Sequence, residues 1–138
     1  MTEKVARARD LVTAYFDAFN RGDAEAMLAL VADDVEHHVN QGSVRHGRAE
    51  FAEFCSHMGV SYREDLRDIV IMVSEDGSRA AAESVVHGEY LQTDPGLPEA
   101  KGQRYVLPVG SFFAIRDGRI ARVSTYYNLQ DWIAQVSA

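Results

Sequence analysis

The sequence is short of cysteine, of basic charge and of long apolar runs. Its single cysteine, Cys55, excludes an internal disulfide. A lone thiol suits a reducing compartment, so a cytoplasmic location is expected. No run approaches the roughly 20 apolar residues of a membrane span. The opening MTEKVARARD is charged and helical in pattern, without the apolar core of a signal peptide. Lys and Arg number 14 against 21 Asp and Glu, a formal net charge of -7. That balance disfavours nucleic acid or an acidic membrane face as a partner. The chain has no Gly-x-Ser-x-Gly elbow, no Gly-x-Gly-x-x-Gly and no phosphate loop. A cofactor-independent reaction, or plain binding, is what these absences leave.

What is present is enough for a core. Apolar residues make up 46% of 138, and no repeat or linker divides them, so one domain over residues 1–138 is expected. Residues 4–21 read as a helix: Val5, Ala8, Val12, Tyr15, Phe16 and Phe19 recur at three- and four-residue steps and form one apolar stripe. Gly22 stops it, and Asp23 can cap a second short helix, AEAMLALV. Val35–Val39 reads as a strand, and a helix over about 48–58 carries Phe51, Phe54 and Cys55 on one side. The second half changes period. EDGS (75–78) and RDGR (116–119) are hairpin turns, because Asp-Gly readily supplies positive φ. Strands are expected over roughly 65–74, 79–91, 104–116 and 119–128, a longer loop over 92–103, and a last short helix in NLQDWIAQV. Helices followed by long hairpins predict an α+β fold, in which a curved antiparallel sheet wraps against the helices into a cone. Cones hold ligands.

Two stretches carry a family resemblance. AYFDAFNRGDAEAMLALVADDVEHHV and FFAIRDGRIARVSTYYN resemble the nuclear-transport-factor-2-like superfamily and, within it, the ketosteroid isomerase-related proteins. The order and spacing of elements match over essentially the whole chain. The loop GLPEAKGQ also resembles the polyketide-cyclase branch, where such a loop overhangs the pocket. The resemblance implies an isomerase-like site: a base beside a carbonyl compound, hydrogen-bond donors on its oxygen, and a dry cavity. It also implies homodimers through the outer face of the sheet, and a small apolar molecule as ligand. The superfamily includes binding and scaffold proteins, so a carrier or an interaction module is the alternative.

Tyr15 matches the family's tyrosine in the first helix and is the expected donor, against the plainer reading of a core aromatic. The family's catalytic aspartate falls at Val39, which cannot move a proton, and its second acid falls near Ser111. With Val39 inward, alternation places His37 inward and His38 outward, so the adjacent histidines cannot grip one metal. His37 is then a candidate base, or a histidine that only hydrogen-bonds. Asn40 and Gln41 are expected at the rim. Family phasing of strand 79–91 turns Glu83 and His87 toward the cavity, where a desolvated Glu83 is a second candidate acid–base group with His87 near it; the competing reading puts them on the outer face, in solvent or at a subunit interface. Phe113 and Tyr127 complete the expected wall, with Tyr127 closing it on the last strand. His46 and His57 are expected at the surface, and Asp34 capping or pairing near it. An epoxide-hydrolase reading needs Asp, Arg and Asp together in the pocket, whereas these residues fall mostly at turns and ends.

Overall fold

A computed structural model describes residues 2–40 and 42–138. Gln41, expected at the rim, lies outside the described residues. The chain begins with α1 (Glu3–Arg21) and α2 (Ala24–Ala29). The Thr2 hydroxyl accepts from Val5 N–H at 3.2 Å and so caps α1, while Gly22 ends it at φ 70°. Asp23 caps α2 through Ala26 N–H, as its position predicts. Then come β1 (Val31–Val39), β2 (Arg45–His46), α3 (Gly47–Ser61), β3 (Tyr62–Val73), β4 (Arg79–Tyr90), β5 (Arg104–Arg116), β6 (Arg119–Tyr127) and α4 (Leu129–Ser137). Strand β1 starts four residues earlier than its apolar pattern suggests, because Val31 and Ala32 are both buried there.

The architecture is α+β, with a curved, open six-stranded sheet in the order β2-β1-β6-β5-β4-β3. The expected hairpins pair antiparallel, but β1 runs parallel to β6. No tight turn joins those two strands, so nothing local fixes their relative direction. On the inner face two apolar clusters form. One joins α1, α2, β1 and α3 to the hairpin ends of β4–β6 through Val12, Phe16, Val35, Phe51, Phe113 and Ile120. The other lies toward the opposite end, where Trp132 and Val136 of α4 meet Val86, Tyr90, Tyr105 and Leu107.

The phase of β4 corrects the family-based expectation. Ala80, Ala82, Ser84 and Val86 are the buried set. Glu83 is exposed on the outer face, between Val70 of β3 and Gly110 of β5, and His87 shares that face opposite Val106. The apolar count decides the matter: turning Glu83 inward would expose two alanines and a valine and bury an unpaired carboxylate.

Candidate functional site

Near α1 the inner face is packed with rings. Tyr15 stands edge-on to Phe16 and to Phe113, with centroids at 5.9 and 5.5 Å, and is 7% exposed. Burial, with the Cys55 thiol nearby, holds its phenol above the ordinary tyrosine value, so it stays a protonated donor. Phe113 is wholly buried and serves as packing rather than as an open wall.

His37 faces inward and is 3% exposed, wedged between Phe51 and Phe54 of α3. Desolvation, with Arg45 and His38 adding repulsion, pushes its pKa down to about 4. The ring is therefore neutral near pH 7. Its Nδ1 is buried and has no hydrogen-bond partner among the described residues. His38 points the other way, with Nε2 3.4 Å from Glu36 Oε1, so alternation does split the two rings. Asp34 pairs with Arg116 at 2.5 Å near the surface.

Where the two clusters meet, polar side chains join the inner face. Val39, Thr125, Ser111 and Ala82 stand in one row across β1, β6, β5 and β4. Tyr127, Val109 and Ser84 form the next. Ser111 is buried, and so is Ser84, whose Oγ has no partner among the described residues. Asn40, at φ 48°, accepts from Tyr127 N–H at 2.9 Å through Oδ1. Its amide oxygen thus anchors the end of β6.

Farther along, toward α4, stands a carboxylate that sequence reasoning missed. Glu64 of β3 accepts a 2.6 Å hydrogen bond from the Tyr105 hydroxyl of β5. Desolvation raises its pKa, against the lowering effect of that bond. Tyr105 reaches it across β4 because Gly88 stands between them: a Cβ there would lie 2.1 Å from the tyrosine ring. Nearby, Asp94 of the 92–103 loop accepts from Tyr62 at 2.8 Å and lies 3.1 Å from His57 Nε2. His57, expected merely at the surface, therefore ties α3 to that loop. Tyr90 donates to Pro98 carbonyl at 2.7 Å and accepts from Asp94 N–H at 2.8 Å.

The SnoaL-like domain profile matches residues 12–123. This chain belongs to the SnoaL-like family. The SnoaL-like protein is similar to a candidate polyketide cyclase from Xanthomonas campestris pv. campestris, with 59% identity over 97% of this chain and 99% of the other and a TM-score of 0.94. A second candidate polyketide cyclase, from Pseudomonas putida KT2440, is 58% identical over 94% of this chain and 97% of the other, with a TM-score of 0.92. An LEH-like epoxide hydrolase from Mycobacterium tuberculosis shares the fold at 19% identity, covering 96% of this chain and 91% of the other, with a TM-score of 0.76. No curated protein matches. Among the described residues no helix of the SnoaL-like protein is long and apolar enough to cross a membrane.

The signal that could have found Glu64 is Asp68. Counting by twos from buried-phase Ile71 turns Glu64 outward. A bulge between Arg67 and Val70, where Asp68 takes φ 55°, reverses the count and turns it in.

Proposed function

We propose that this SnoaL-like protein is a cofactor-independent enzyme of the isomerase or cyclase type. It moves a proton beside the carbonyl of a small apolar compound held on the sheet's inner face, in the reducing cytoplasm that a free Cys55 suits. The observation that carries this reading is that Ser84 Oγ and His37 Nδ1, both on inward-facing side chains, are two of the four buried side-chain atoms without partners among the described residues, the others being Nε of Arg48 and Arg122. Leaving such a group unpaired costs about 1–3 kcal/mol, which favours a polar partner from outside the chain. Ser84 and Ser111 supply hydroxyls, and Tyr127 a phenol, where a carbonyl oxygen could lie between apolar walls. His37 fits a neutral hydrogen-bonding contact better than a base, since base strength falls with the pKa of the conjugate acid. The candidate polyketide cyclases at 58–59% identity support carbonyl chemistry of this kind.

The test is deuterium exchange at the α-carbons of 2-tetralone, an apolar bicyclic ketone, followed by proton NMR in D2O. The protein is expected to accelerate exchange above the buffer rate. A rate equal to buffer would remove the enzymatic reading and leave a carrier.

A second reading is supported by the outer face. Val70, Met72, Val106, Phe112 and Tyr126 remain about half exposed there. Apolar side chains on one side of a sheet fit a second copy of the chain, and a homodimer is the assembly proposed.

A further inference from the structure

The reading above leaves the reaction without a base. Val39 stands where the resemblance expected a carboxylate, Glu83 faces out, and His37 is shut between Phe51 and Phe54. We propose that Glu64 is the proton-transferring carboxylate, with Tyr127 the donor to the substrate oxygen and Tyr105 the residue that positions Glu64. This proposal rests on the proton-transfer reading and names its missing group.

Geometry supports the assignment. Glu64 is turned inward by the Asp68 bulge and sits between Tyr62 and Leu66, which pack on the α4-side cluster. Tyr105 fixes one oxygen, Oε2. The other, Oε1, accepts no hydrogen bond from the described residues, and no described Lys or Arg pairs with the carboxylate. Yet Glu64 keeps intermediate exposure. Desolvation thus acts on a carboxylate that is not fully shut off from solvent. A partly buried carboxylate with no cation beside it is costly to keep. The groups facing it are Tyr105 of β5, Tyr127 of β6, Tyr62 of β3 and, beyond Tyr62, Asp94 of the 92–103 loop. Burial, and then the charges of Glu64 and Asp94, hold the Tyr127 phenol above its ordinary value, so it remains a donor.

The chemistry balances without an oxidant or a metal. Glu64 carboxylate takes a proton from the carbon beside the carbonyl. The C–H electron pair forms the enolate double bond, and the carbonyl π pair moves to oxygen, which receives a hydrogen bond from Tyr127. Where the substrate carries a β,γ double bond the product is a dienolate, and protonated Glu64 returns its proton to the γ-carbon, which moves the double bond into conjugation with the carbonyl. Alternatively, the enolate carbon attacks a second carbonyl of the same molecule, and the new alkoxide takes the proton. Either route ends with Glu64 ionised.

The experiment extends the 2-tetralone assay to variants of the full chain. Glu64→Gln keeps the shape and an acceptor for Tyr105, and should slow exchange by about 100-fold or more. Glu64→Asp keeps the carboxyl and should retain part of the rate. Tyr105→Phe removes a bond that favours the carboxylate, so the midpoint of the rate–pH profile should move to higher pH, which lost packing alone would not cause. Wild-type exchange with an equal rate in Glu64→Gln overturns this proposal and leaves the proton-transfer reading standing. No wild-type exchange overturns both. Should Glu64→Gln fail to fold by circular dichroism, the Tyr105→Phe profile decides: an unmoved midpoint overturns the assignment.

Discussion

Single side chains divide here according to what they meet on the inner face. Tyr15 and Phe113 meet other rings and pack. His37 meets two phenylalanines and an arginine, and stays neutral. That neutrality has a cost in acid. An unfolded histidine binds a proton below about pH 6.5, whereas folded His37 refuses one until about pH 4. Over that window the unfolded state holds more protons, so stability falls as pH falls, by up to about 3 kcal/mol. Glu64 acts in the opposite direction, because its raised pKa favours the folded state as it protonates. The effect of His37 is therefore isolated by comparison with His37→Phe. Urea unfolding at about pH 7.5 and about pH 4.5 should show wild type losing about 2–3 kcal/mol more than the variant. Equal losses would refute a neutral buried His37.

At the scale of elements, the bulge in β3 controls which residues reach the interior. Asn20, near the end of α1, holds it in place. Its side-chain amide donates to Leu66 carbonyl at 2.9 Å and its oxygen accepts from Leu66 N–H at 2.8 Å. The amide thus pairs with β3, an edge strand, as a neighbouring strand would. Asn20→Ala should lower stability by about 1–2 kcal/mol, with hydrogen exchange at the Leu66 amide rising more than at the β4–β5 core. Unchanged protection at Leu66 would show that the bulge holds itself. A second bulge, between Ala114 and Ile115, acts on β6: it buries Ile120 together with Val123, which simple alternation would have set on opposite faces. Neither register shift is carried by the apolar pattern of its own strand.

Across the whole molecule, the sheet has one face against helices and the other largely bare. On the bare face Phe112 and Tyr126 touch edge-on at 5.9 Å, and Met72 and Ala81 lie in the row of Phe112. A cluster of this kind is what one half of a symmetric interface looks like. Sedimentation at micromolar concentration is expected to show a dimer for wild type, and a monomer for Phe112→Glu, which would place a charge at the centre of the contact. A wild-type monomer across that range would remove the dimer from consideration. The sheet's inner face carries the proposed chemistry, so the variant also shows whether pairing of the outer face supports it.

The sequence by itself determined the order of the helices and of the five longer strands, the two Asp-Gly hairpins, the helix stop at Gly22, the helix cap at Asp23, and the α+β class. These are local choices, made by turn chemistry and by the period of apolar residues. It also split His37 from His38, because neighbours on a strand cannot share a face. Only the tertiary structure decided which face of β4 is inward, that β1 runs parallel to β6, and that Glu64 meets Tyr105. Those outcomes depend on residues far apart in the chain. Alanines on β4 pack against helices, Asn20 grips an edge strand 46 residues away, and Gly88 leaves a gap that a tyrosine from the next strand crosses. Strand alternation has no memory across a bulge, so a single residue at positive φ, Asp68, turned Glu64 inward, while the apolar set of β4 independently turned Glu83 out.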